Sequence, residues 1–133
     1  MNREERTRLL LGDERIARLA TSHVLVVGLG GVGAYAAEML CRAGVGELTI
    51  VDGDIIEESN LNRQLPALLS TIGKPKTEVM ASRLLDINPK LKLIALQAYL
   101  RDERTSEAQG SVPYHIVVYS THTISQKIFP ISP

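Results

Sequence analysis

Residues 28–33 read Gly-Leu-Gly-Gly-Val-Gly, between the apolar run His23-Val24-Leu25-Val26-Val27 and the helix-forming stretch Ala34-Tyr35-Ala36-Ala37-Glu38-Met39-Leu40. A strand, a glycine turn and a helix start in that order form the βα unit of an α/β protein. Gly28, Gly30, Gly31 and Gly33 let backbone amides approach an anion, and the helix N-terminus favours its negative charge, so the turn is a phosphate cradle. A Gly-x-Gly-x-x-Gly alone says little beyond nucleotide, and gains weight from an acid about twenty residues on. Asp52 supplies that acid, at the end of Glu47-Leu48-Thr49-Ile50-Val51.

The rest of the chain alternates helices and strands without internal repeats. Ile16, Leu19 and Ala20 recur at helical spacing and predict a short helix over 13–21. The first strand covers 23–28, and the crossover helix runs over 32–43 and stops at Gly44-Val45-Gly46. The second strand covers 47–52. Residues 53–73 form an irregular polar segment, longer than an ordinary connection and so suspect as a functional loop. Met80, Leu84 and Ile87 share one face of a helix over 76–88, which Pro89 ends. Residues 90–97 alternate Leu91, Leu93 and Ala95 as a third strand, and 115–119 are a fourth apolar run. The expected architecture is a Rossmann-like three-layer α/β sandwich with a mainly parallel sheet and strand order 3-2-1-4.

Composition excludes several classes. The 133 residues are 44% hydrophobic and 23% charged, enough apolar material for one core. Fifteen basic and fifteen acidic side chains cancel, so no global field marks a nucleic-acid or membrane-surface binder. No apolar stretch has transmembrane length and the charged N-terminus carries no leader pattern, so the expected location is cytoplasmic. The single cysteine, Cys41, rules out an internal disulfide or a cysteine-cluster metal site within the chain and reads as a small core residue.

The loop after the second strand says more than the glycine turn. It reads Asp52-Gly53-Asp54-Ile55-Ile56-Glu57-Glu58-Ser59-Asn60-Leu61-Asn62-Arg63-Gln64 and continues to Gly73-Lys74-Pro75-Lys76. A dinucleotide site needs only the acid for the ribose, whereas an asparagine, an arginine and a helix-start lysine suit a triphosphate. With the glycine turn and Asp86-Ile87-Asn88-Pro89, these motifs resemble the adenylating domain of the ubiquitin-activating enzyme superfamily, the ThiF, MoeB and HesA type. The resemblance runs from about Leu10 to Leu93. Asn62-Arg63 and the leading Arg8-Leu9-Leu10-Leu11-Gly12 look most like its tRNA threonylcarbamoyladenosine dehydratase branch.

The resemblance implies an ATP site in which Asp52 holds the ribose, Asn60, Arg63 and Lys76 contact the phosphates, and Gln64 belongs to the lining. Arg63 and Lys76 are the implied catalytic residues, and Arg6 or Arg8 matches an arginine that reaches a partner subunit's phosphates. Each has a plainer alternative: a turn cap for Asp52 and Asn60, a solvated charge for Arg63 or Lys76, a charged terminus for Arg6 and Arg8. The implied cofactors are ATP and magnesium, the implied acceptor is tRNA or a ubiquitin-like sulfur-carrier protein, and the implied assembly is a homodimer. The family places two acids after the fourth strand, the second holding magnesium. Here Tyr119 and His122 stand at those positions, and an imidazole is a poor magnesium ligand. Residues 1–133 therefore read as the ATP-binding N-terminal part of such a domain, ending after the fourth strand. Two other classes stay open, a nicotinamide-dependent oxidoreductase and a non-catalytic nucleotide-binding or dimerisation remnant.

Overall fold

The computed structural model of the chain describes residues 12–99, 114 and 116–119. The four apolar runs become β1 (His23–Val27), β2 (Glu47–Val51), β3 (Lys92–Leu96) and β4 (Ile116–Tyr119), in the order β3-β2-β1-β4. All pairings are parallel, with Val27 beside Val51 and Tyr119 and Val51 beside Leu96, so the four carboxyl ends share one edge. Every residue of β1 and β2 is buried, which is why these central strands read as continuous apolar runs. At the edge, β3 leaves Lys92 and Ala95 exposed, so the expected Leu91, Leu93, Ala95 stripe reaches the core through its two leucines only.

Among the described residues three helices accompany the sheet: α1 (Asp13–Ala20), α2 (Gly31–Ala43) and α3 (Lys76–Ile87). Helix α2 ends at Gly44, whose φ of +100° is open to glycine at no steric cost. The Gly44 and Val45 amides then donate to the Cys41 and Leu40 carbonyls at 3.2 and 3.1 Å. Helix α3 stops at Asn88 because the ring of Pro89 disfavours a helical conformation there.

Strand order decides where these helices lie. Chain steps from β1 to β2 to β3 run the same way across the sheet, and right-handed crossovers put both connecting helices on the same face. On that face Val24, Val26, Leu48 and Ile50 pack with Ala34, Ala37, Cys41, Met80 and Leu84, joined by Leu19 of α1. Cys41 is a core residue, its thiol donating to the Leu84 carbonyl. The step from β3 back to β4 reverses direction across the sheet, and the other face carries a second cluster. There Leu25, Val27 and Val51 pack with Leu96, Ala98, Tyr114, Val117 and Tyr119. The described residues thus show one helical layer on the sheet, and the second layer of the three-layer expectation is not among them. No helix among the described residues is long and apolar enough to cross a membrane.

At the amino edge of the sheet the buried polar side chains are arranged around His23. Its Nε2 shares a 2.8 Å hydrogen bond with Thr49 Oγ1, its Nδ1 lies 3.6 Å from Glu47 Oε2, and the Tyr114 ring meets it edge-on at 4.4 Å. Burial pushes the Tyr114 phenol up to about 12, so it stays neutral.

Candidate functional site

Strand order reverses between β1 and β4, and it is at the carboxyl edge of such a switch point that open α/β sheets bind ligands. The glycine turn reaches that edge from β1. Gly28 adopts φ +91°, a left-handed conformation that glycine tolerates, and its amide donates to the Val51 carbonyl at 2.8 Å. Leu29 follows, and its amide donates to Asp52 Oδ2 at 2.6 Å, while the Asp54 amide donates to Asp52 Oδ1 at 2.7 Å. The Asp52 carboxylate therefore ties the turn after β1 to the turn after β2. Burial pushes its carboxyl above the usual range, opposed by the two amides and by the Lys76 charge. Each carboxylate oxygen keeps a second lone pair, so the clasp leaves it able to accept a ligand hydroxyl.

Gly31 and Gly33 form the first turn of α2, where the amides carry the helix's positive end. Gln64 closes on the turn from the loop. Its side chain is buried, and a Cβ placed on Gly30 would lie 3.2 Å from its Nε2, so glycine at position 30 leaves room for the amide.

Local hydrogen bonding organises the loop that the sequence presents as irregular. Short 3-10 turns form at Glu58–Asn60 and Leu69–Thr71. Asn60 is buried, and its Oδ1 accepts the Glu57 amide at 2.8 Å, so the group it can turn toward a ligand is its NH2. The loop then folds back on itself. Ile56 donates to the Lys74 carbonyl at 2.9 Å, Gly73 donates to the Ile56 carbonyl at 2.8 Å, and Ile55 bridges Pro75. The Lys76 amide donates to the Asp54 carbonyl at 3.1 Å, so α3 starts directly beside the end of β2. Lys76 is only 5% exposed, and its Nζ lies 3.9 Å from Asp54 Oδ2.

The structure thus brings Gly28, Gly30, Asp52, Gln64 and Lys76 to one edge of the sheet. Arg63 is exposed, and its guanidinium donates to the Ser59 carbonyl at 3.1 Å and to Asn62 Oδ1 at 3.0 Å, both on its own turn. Arg6, Arg8 and His122 lie outside the described residues. Tyr119, at the end of β4, packs with Val27 and Leu25. A phenol is a poor magnesium ligand, and among the described residues no group of three His, Cys, Asp or Glu is placed to hold a metal. Tyr119 thus does not supply the carboxylate oxygen that a magnesium ion prefers.

Two site residues were not singled out in the sequence. Asp54 belongs to Asp-Gly-Asp, and that pairing was the available signal. Tyr99, three residues beyond β3, donates its hydroxyl to Asp54 Oδ1 at 2.5 Å, and its ring lies where any Cβ on Gly53 would collide with it. No local pattern announces a contact across 45 residues.

Comparison with known proteins follows the same outline. The model of the ThiF family matches residues 2–127. The tRNA threonylcarbamoyladenosine dehydratase of Bacillus subtilis is 44% identical over 92% of this chain and 48% of its own length. The Sulfur carrier protein ThiS adenylyltransferase of Escherichia coli is 43% identical over 68% of this chain and 36% of its own. The crystal structure of E. coli tRNA N6-threonylcarbamoyladenosine dehydratase in complex with ATP superposes with a TM-score of 0.85 at 35% identity, over 92% of this chain and 50% of that one. The chain spans about half the length, or less, of the relatives it matches.

Proposed function

The chain belongs to the ThiF family, and from that premise we propose that its carboxyl-edge site binds ATP for the adenylation of an acceptor oxygen. The observation that carries this reading is the Lys76 ammonium, 5% exposed, 3.9 Å from Asp54 and close enough to act on the Asp52 carboxyl that clasps the glycine turn. Burying a cation is costly, and a site for a triphosphate is what such a charge is suited to. In the proposed complex the glycine-turn amides and the first turn of α2 hold phosphate oxygens, and Asp52 accepts from the ribose. Gln64 lines the turn, and the Asn60 NH2 donates to the phosphates. Arg63, exposed and long, rotates off its own turn to fork onto them.

An acceptor carboxylate or carbonyl oxygen then attacks the α-phosphorus, the bond to the bridging oxygen breaks, and pyrophosphate leaves with its electron pair. Lys76 and Arg63 neutralise the charge that develops there, which with positioning supplies most of such catalysis. Magnesium, in this reading, arrives as the counter-ion of the triphosphate. The proposed acceptor is the side-chain carboxylate of a modified tRNA adenosine, after the dehydratase relatives, with a ubiquitin-like sulfur carrier as the other candidate. A cytoplasmic homodimer is the proposed setting.

Calorimetry on the purified chain tests the nucleotide. ATP is expected to bind at least tenfold more tightly than NAD, since Arg63 and Lys76 each offer a charge-assisted contact of roughly 1.5 to 3 kcal/mol. Equal affinity, or tighter NAD, sinks the adenylating reading and favours the oxidoreductase one.

A further inference from the structure

Tyr99, Asp54 and Lys76 come from three separate segments, the turn after β3, the turn after β2 and the start of α3, and they meet at one point of the site. We propose that Tyr99 is a positioning residue, which through Asp54 holds the Lys76 ammonium at the phosphate cradle. The proposal rests on the reading of the site as one for ATP phosphates and adds to it a residue that acts through Asp54.

Burial sets the requirement. Lys76 is 5% exposed, so its charge needs a carboxylate held nearby, and Asp54 Oδ2 stands 3.9 Å away. Asp54 by itself is badly suited to that task. Its side chain is 54% exposed, and a half-exposed carboxylate on a turn exchanges rotamers with water as its competing partner. The Tyr99 hydroxyl removes that freedom by donating to Oδ1 at 2.5 Å, which leaves Oδ2 facing the ammonium. The backbone gives the same point two further ties, since the Asp54 amide donates to Asp52 Oδ1 and its carbonyl accepts from the Lys76 amide. Gly53 completes the device: without a side chain there, the Tyr99 ring can lie over the turn and bring its hydroxyl to the carboxylate.

Two readouts on the purified chain separate this inference from the ATP reading. The first is nucleotide-free: acetylation of individual lysines by an amine-reactive ester, followed by mass spectrometry. Lys76 is expected to react at least tenfold more slowly than exposed Lys74. Tyr99→Phe, which keeps the ring over Gly53, should speed Lys76 at least threefold and leave Lys74 and Lys90 unchanged. Asp54→Asn, which keeps an acceptor for the hydroxyl and removes the charge, should give the same rise. An unchanged Lys76 rate overturns the proposal, and so does an equal rise at all lysines, because the hydroxyl then holds the fold and not the ammonium. The second readout is calorimetry, where Tyr99→Phe should weaken ATP threefold to tenfold and leave adenosine unaltered. If labelling changes as expected while ATP does not bind, or binds equally well to Tyr99→Phe, the clamp stands and the assignment of Lys76 to phosphates falls.

Discussion

In Lys76→Met the dissociation constant for ATP is expected to rise about thirtyfold, while that for adenosine moves less than threefold. The size follows from the loss of one charge-assisted contact at a desolvated position, about 2 kcal/mol. Methionine keeps most of the stem that the lysine buries, so the loop that delivers position 76 has little reason to collapse. Titration of both ligands into wild type and variant decides the matter. A comparable loss for adenosine would show that the lysine holds the loop in place and does not read the phosphates.

The second large effect is on stability. Leu84 is fully buried, on the face of α3 that meets α2 and the sheet, with Met80, Ala37, Cys41 and Ile50 in the same cluster. Leu84→Ala deletes three carbons from a packed interior and is expected to cost about 3 kcal/mol. Against a total of roughly 5 to 15 kcal/mol for a domain, that is a substantial fraction. Leu85, its neighbour in sequence, is 41% exposed, and Leu85→Ala should stay within about 0.5 kcal/mol. Urea unfolding of the two variants measures both numbers. Similar losses would contradict the placement of α3's buried face.

What could be read in advance and what could not divide along the distance over which the information is encoded. The βα units are written locally, in the unbroken apolar runs of β1 and β2, the glycine turn at 28–33 and the 3.6-residue spacing of Met80, Leu84 and Ile87. Joined as successive βαβ crossovers, those units give the expected order β3-β2-β1-β4, which the structure has. The loop was legible as a functional segment, because Asn60, Arg63, Gln64 and Lys76 are unusual company between a strand and a helix. Its internal shape was not. The 3-10 turns at Glu58–Asn60 and Leu69–Thr71 rest on hydrogen bonds of Asn60 and Thr71 side chains to nearby backbone, and many sequences offer such groups without using them. Tyr99 lay further out of reach, since its partner is a half-exposed aspartate on another strand's turn and neither residue has a periodic signature. Arg63 shows the converse: its residue type announced a phosphate ligand, while the structure holds its guanidinium on Ser59 and Asn62.

The return of the loop onto itself has a kinetic consequence. Ile56 is tied to residues 73 and 74 by two backbone hydrogen bonds, and two residues later the Lys76 amide is tied to Asp54. These bonds cannot open independently, because parting the Ile56 pair swings the start of α3 and carries the lysine away from the cradle. The amides of Ile56, Gly73 and Lys76 should therefore exchange with deuterium as one unit, through one local unfolding event. Ligand that binds only the closed form raises the free energy of that event by about 2.7 kcal/mol at a hundred times its dissociation constant, which slows exchange about a hundredfold. With ATP present all three amides are expected to slow together by that factor.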